Sequence, residues 1–300
     1  MAFTAKDVQT LREKTGVGMM DCKRALNDAN GDMDKAVELL REKGLAAAAK
    51  KAGRIAAEGI VHACVENGVG VVVEVNAETD FVAKNADFVA FVEAVAKTIA
   101  VKNPADVDTL LAQKLEGADM TVEEALRDKI LVIGENMKIR RFARYEGVVS
   151  TYVHGGGRIG VMVHFDSDVG DNDSFDGFAK DVAMQIAAAN PQYVSSKNVP
   201  DEIISKEKEI LTAQAINEGK PQNIAEKMVA GRIKKYFEDF CLIEQKYVKD
   251  PDLSVGKYAE KVAAELGGSI KILDFVRFEK GEGIEKREDN FADEVASMMK

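Results

Sequence analysis

His62, His154 and His164 are the only imidazoles in this chain of 300 residues, and Cys22, Cys64 and Cys241 are its only thiols. A hydrolytic triad or a metal centre needs such groups at fixed spacing beside a carboxylate. His62 and His164 fall on strand-like runs with no cysteine or carboxylate at ligand spacing, which reads as half-exposed strand positions. The thiols are scattered, odd in number and share no CxxC pair, the pattern of free cysteines in a reducing cytosol. HGGGRIG, His154 to Gly160, has glycines that could cradle a phosphate. It lacks the GK[ST] ending and a strand follows it, so it reads as a hairpin turn. No GxSxG, HExxH or EF-hand pattern is present, and no carboxylate pair stands out as acid and base. The sequence therefore points away from covalent chemistry and calls for no metal and no cofactor.

Two short stretches instead have the chemistry of contact. Met19 and Met20 follow a glycine-flanked loop at a helix start, and one of two adjacent helical residues must point away from the core. Methionine there is either loose core filler or an adaptable apolar contact. In NAETDFVAKN, Thr79 or Asp80 can cap a helix, while Phe81 has two readings. In one unbroken helix it joins the core stripe of Phe88, Val92, Val95 and Ile99. If Asn85 caps a second helix, Phe81 stands instead on a protruding tip.

With 41 basic and 51 acidic side chains the formal charge is -10. An acidic chain is a poor partner for nucleic acid, because phosphate neutralisation supplies most of that affinity. The cluster Lys50, Lys51 and Arg54 reads as a solvated helix face. The N-terminus has no apolar signal core, and no apolar run reaches a membrane-spanning length, so the expected location is cytoplasmic.

These contact residues must be held by an α+β architecture of several units. Residues 1–45 predict three short helices, with the second placing Cys22, Ala25, Leu26 and Ala29 on one face. Asn30-Gly31 stops it, Asp32 caps the third, and that helix ends at Gly44. The order helix, glycine loop, helix, NGD turn, helix resembles a ubiquitin-associated domain. Residues 46–57 read as a helical linker.

An internal repeat follows. EGIVHACVENGVGVVVEVNAETD matches EGVVSTYVHGGGRIGVMVHFDSD, each an alternating β-hairpin followed by a helical run. IGENMKIRRFARYE aligns without gaps on LGGSIKILDFVRFE, so both copies close with a strand. The first unit covers 58–145; the second covers 146–190 and 236–279, interrupted by an insertion at 191–235. That insertion holds two helical stretches joined at Gly219-Lys220-Pro221, an antiparallel helical hairpin. Ile203, Ile210, Leu211, Ile224, Met228 and Ile233 give it an apolar stripe that could pack on its own sheet or on a second copy of the chain, forming a homodimer. Residues 280–300 form a C-terminal module whose last helix, from about Asn290, carries Phe291, Val295, Met298 and Met299.

The repeat also bears on Phe81. Where the first copy has NAETDFVAKN, the second runs HFDSDVGDND, keeping a carboxylate at Asp168 but placing Val169, not an aromatic ring, opposite Phe81. The fold of the copies therefore does not require Phe81, which favours the tip.

Read together, TGVGMMDCKRAL, NAETDFVAKN, KIRRFARYEG, HGGGRIGV, IAEKMVAGR and FVRFEKGEGIEK resemble the bacterial elongation factor Ts family, in order along the whole chain. The resemblance implies a guanine nucleotide exchange factor that binds elongation factor Tu with GDP and promotes GDP release. Carried over by motif, Thr79, Asp80, Phe81 and Val82 would dislodge the partner's magnesium ion, with Phe81 as a wedge. Met19, Met20, Ile133 and Gly134 would border the same contact, and His154 would face another domain of the partner. Where related members read GQPFVM this chain has EQKYVKD, a charged departure in which Val248 is carried over. A rival reading is an adaptor whose binding energy sits around Met19; an enzyme with a site between the repeats is a distant third.

Overall fold

The structure, a computed structural model, describes residues 3–285; the helix expected from Asn290 lies outside them. Near the N-terminus, Thr4 and Asp7 form a capping box for α1 (Ala5–Thr15), which Gly16 closes in the left-handed region. α2 (Met19–Asp28) follows, and Asp32 caps α3 (Met33–Lys51) after the positive-φ pair Asn30 and Gly31. Leu11, Cys22, Leu26, Ala36 and Leu40 make the small shared core. α3 differs from expectation: it runs through Gly44 to Lys51 without a break. Gly44 is a packing position here, where a Cβ would meet Leu131. The alanine run after it has the strongest helix propensity available, so the expected linker is half helix and half turn.

The first sheet has the antiparallel order β1 (Glu58–Glu66), β2 (Val69–Ala77), β3 (Met137–Glu146). Between β2 and β3 lie α4 (Asp80–Ala83), α5 (Ala86–Lys102), α6 (Val107–Ala112) and α7 (Val122–Ile133). Phe88, Val92, Val95 and Ile99 of α5 are buried with Val71, Val73 and Val75 of β2, so the apolar stripe of the helix and one face of the strand close on each other. Helices α6 and α7 carry no signal that the sequence reading used. α7 is where α3 docks, with Leu131 packed on the N-terminal core.

The second unit repeats this plan with β4 (Val148–His154), β5 (Ile159–Ser167) and α8 (Asp173–Ala189). The chain then runs through α9 (Asp201–Asn217), α10 (Gln222–Phe240), β6 (Lys246–Tyr247), β7 (Asp250–Ser254), α11 (Val255–Leu266) and β8 (Ile270–Glu279). Its sheet order is β4-β5-β8. The two sheets bulge at matching places, Glu74/Val75 and His164/Phe165. α9 and α10 form an antiparallel hairpin, and α10 continues unbroken past residue 235 to Phe240. Ala215, Ala225, Val229 and Ile233 are buried in its seam, whereas Ile203, Ile210 and Ile224 of the expected stripe are exposed. Small residues win the seam because they let the two helix backbones approach closely.

The sheets pack on each other through Val61, Val72 and Met162. Gly70 and Gly160, which the repeat pairs with one another, sit at this interface. A Cβ at Gly70 would lie 2.8 Å from the Met162 sulfur, and one at Gly160 would overlap Val61. Each glycine is thus the place where the other sheet comes closest.

Candidate functional site

The tip begins where β2 ends. Asn85 accepts hydrogen bonds from the N–H groups of Asp87 and Phe88, capping α5 and cutting α4 off as a single turn. Adjacent residues of that turn face opposite ways. Val82 is buried in the first core, while Phe81 is 79% exposed, the most exposed large apolar residue among those described. Asp80 pairs with Lys84 at 3.0 Å on the outer surface, and that hydrogen bond holds its carboxyl below the usual range. Of the four residues expected to act together, only Asp80 and Phe81 are presented to solvent; Val82 is an anchor.

Thr79 occupies the N-cap position of α4, as the sequence suggested, but it does not cap by its side chain. Its N–H and hydroxyl donate to the two oxygens of Glu135, at 3.0 and 2.6 Å. Beside it, Glu78 accepts from the backbone N–H of Asn136 at 2.6 Å and pairs with Arg54. The Asn136 amide donates to the carbonyl of Arg54 at 2.7 Å. Arg54 is therefore part of the tip's base rather than a free solvated charge. Glu135 was missed by sequence reasoning, although the aligned closing strands set it opposite Gly268.

The second copy clarifies the register. Asp168 accepts from the N–H of Ser269 at 2.6 Å, as Glu78 does from Asn136. Asp168 is thus the counterpart of Glu78 and not of Asp80, because the connector after β5 (168–171) is shorter than that after β2 (78–84). At Gly268, a Cβ would overlap the Asp168 carboxylate and lie 2.5 Å from Val169. No side chain fits where the first copy holds Glu135.

The remaining candidates lie around this tip. Met19 and Met20 are 43% and 63% exposed at the start of α2. The loop before them approaches α7, since a Cβ at Gly16 would meet Val132. Gly134 ends α7 in the left-handed region, directly before Glu135. Ile133 packs against the first core, and it is Val132 that is exposed. His154 is exposed at the end of β4, bonded to the Tyr152 hydroxyl at 3.0 Å. The turn after it rests on β1, where Val61 donates to the carbonyl of Gly157. Val248 is half exposed beside an open, polar cleft of about 420 Å³ lined also by Gln185, Lys235 and Asp239. Its N–H donates to Gln185 at 2.8 Å.

A buried carboxylate braces the same end of the molecule. Glu74, fully buried, accepts from Arg140, Arg141, Asn76 and the N–H of Gly281. Burial works to raise its pKa, but the Gly281, Asn76 and Arg141 donors prevail and the carboxyl is lowered. This network, with the Lys280–Glu58 pair, ties the segment leaving β8 to the first sheet.

The thiols offer no reactive centre: burial pushes Cys241 up to about 11 and also raises Cys22 and Cys64. No group of three or more potential metal ligands occurs among the described residues. What the described residues do present is an apolar ring on a braced turn, the kind of group that anchors contacts between macromolecules.

Comparison with known proteins makes this specific. The family model described as Elongation factor TS matches residues 78–282. "Elongation factor Ts" of Clostridium perfringens (strain SM101 / Type A) is 57% identical over 301 residues, covering 99% of both chains. Proteins of the same name from Clostridium botulinum (strain Alaska E43 / Type E3), at 52% with 99% of each chain covered, and Syntrophotalea carbinolica, at 50% with 100%, are also similar. The chain belongs to the elongation factor Ts family.

Proposed function

We propose that this protein is a guanine nucleotide exchange factor for elongation factor Tu: it binds the GDP-loaded GTPase, loosens magnesium and phosphate, and promotes GDP release so that GTP can rebind. The observation that carries this reading is Phe81, exposed on a turn whose neighbours are locked into the core and onto Glu135. An aromatic ring has few rotors to freeze, so inserting it between partner side chains buries much area at little entropic cost. Such burial is worth about 1.5–3 kcal/mol for one ring. Spent on a conformation that holds GDP poorly, it weakens GDP by the same factor that GDP weakens the exchange factor.

Asp80 rides beside the ring, where its charge perturbs the field around a partner's magnesium ion. Met19 and Met20, with Val132 and Gly134, extend the contact on one side; His154 and Val248 belong to more distant parts of it. No covalent bond is made or broken, so the protein is an exchange factor and not an enzyme of bond chemistry. No helix among the described residues is long and apolar enough to cross a membrane, and a site of action among translation factors in the cytoplasm fits this reading.

The test is release of fluorescently labelled GDP from purified elongation factor Tu with excess unlabelled nucleotide. Catalytic amounts of the protein are expected to accelerate release by orders of magnitude. Release at the intrinsic rate overturns the reading.

A further inference from the structure

The two copies differ at one residue in a way that the fold alone does not explain. In both, the closing strand donates a backbone N–H to a carboxylate just beyond the second strand of the hairpin: Asn136 to Glu78, and Ser269 to Asp168. One position earlier the first copy has Glu135 and the second has Gly268. Glu135 takes both the N–H and the hydroxyl of Thr79, the residue that leads into the turn bearing Phe81. We infer that Glu135 is a positioning residue for exchange, holding Thr79 so that Phe81 is presented before the partner arrives; this rests on the reading of Phe81 as the wedge.

The physical argument is one of order. A single helical turn makes too few internal hydrogen bonds to hold itself, because nucleating a helix costs more than its first bond returns. α4 is such a turn, and no side chain caps it. It is fixed from outside at two places: Val82 and Ala83 against the first core, and Thr79 on Glu135. Charge-assisted bonds to a carboxylate are shorter and stronger than neutral ones, and two donors on two oxygens also fix direction. With Glu135 removed, Val82 still anchors the turn, but its leading residue is free to rotate. Docking must then order that residue, and the entropy cost is taken from the energy that drives GDP release. In the second copy no tip needs aiming, and the backbone closes tightly over Gly268.

The experiment is the GDP-release assay with the full chain, applied to Glu135→Ala and Glu135→Gln in the native and Phe81→Ala backgrounds. In the native background Glu135→Ala is expected to slow release at limiting exchange factor by about tenfold. Glu135→Gln keeps one acceptor oxygen for the Thr79 hydroxyl and is expected to stay within about threefold of native. In the Phe81→Ala background neither change should slow release further, since there is no ring left to aim. Backbone amide exchange should quicken in residues 79–84 while β2 and β3 keep their native protection. Thr79→Val, which deletes only the hydroxyl, gives a second route should Glu135→Ala not fold, with about threefold slowing expected. Equal slowing in both backgrounds, native rates for both Glu135→Ala and Thr79→Val, or no change in protection of 79–84 overturns the inference. A native rate for Phe81→Ala alone instead overturns the reading of the tip on which it rests.

Discussion

The connector after β2 and the connector after β5 leave matching strands of matching sheets and lead to asparagine-capped helices of equal length. One is a braced turn with an exposed ring; the other is a short link with no aromatic residue. Both keep the carboxylate that ties the connector to the closing strand, Glu78 in one and Asp168 in the other. What the fold needs is common to both, and what differs is surplus to the fold. The surplus in the first copy is the ring of Phe81 and the Glu135 side chain that holds Thr79, carried on a longer segment that Val82 anchors in the core.

The comparison can be broken most severely by making the first copy resemble the second. Replacing residues 78–84 with the sequence of 168–171, together with Glu135→Gly, should abolish accelerated GDP release while the thermal midpoint stays within a few degrees of native. The same graft with Glu135 retained should be less stable, because the shorter link brings the chain against that side chain as Val169 lies against Gly268. A graft that keeps its exchange activity would show that the tip is not the working element.

The interface between the sheets provides the next test. Gly70→Val and Gly160→Val should each destabilise by about 1–3 kcal/mol or more in chemical denaturation, since both force side-chain atoms into the opposing sheet. Comparable costs are expected because the two positions are related by the repeat. Gly268→Ala should cost a similar amount through Asp168 and Val169. Glu135→Ala, at the matching position, should cost less than about 1 kcal/mol, as its bonds end on a surface turn.

Glu74, whose place His164 takes in the second copy, gives a test by acid titration. The folded-state pKa of Glu74 lies below its ordinary value near 4.5, so its contribution is fully present above about that pH. It is lost as pH falls through the lowered folded value. Urea denaturation of the native chain should therefore show stability falling below about pH 4.5, and Glu74→Gln should flatten that part of the profile. The smallest effect is expected at the tip's outer surface. Lys84→Ala removes a solvated ion pair and should change stability by less than about 0.5 kcal/mol, read from the denaturation midpoint.

Much of this architecture was legible in the sequence because it is written in period and punctuation. A run of valines gave β2 as a buried strand, the helical spacing of Phe88, Val92, Val95 and Ile99 gave α5, and Asn85 marked the break that leaves Phe81 outside. The third helix was cut short on paper because Gly44 resembles a stop signal; in space it is a close approach to α7. The hairpin seam was not legible, because small residues such as Ala215 and Ala225 leave no apolar stripe to read. Glu135 was illegible for a different reason. Its partner Thr79 is far away in sequence, and a lone glutamate after a helix-ending glycine has no local signature. Only the strand pairing of β2 with β3 brings the two together. The register of Asp168 against Glu78 likewise emerged from the ends of the strands and not from letter matching.

The central claim is that Phe81 serves a partner and not the fold. The direct measurement is GDP release from elongation factor Tu by Phe81→Ala, with its thermal midpoint recorded on the same preparation. The account predicts a loss of most of the acceleration, about tenfold to a hundredfold for an anchor worth roughly 1.5–3 kcal/mol, at a midpoint within about two degrees of native. A native release rate, or a midpoint that collapses along with the activity, would contradict it.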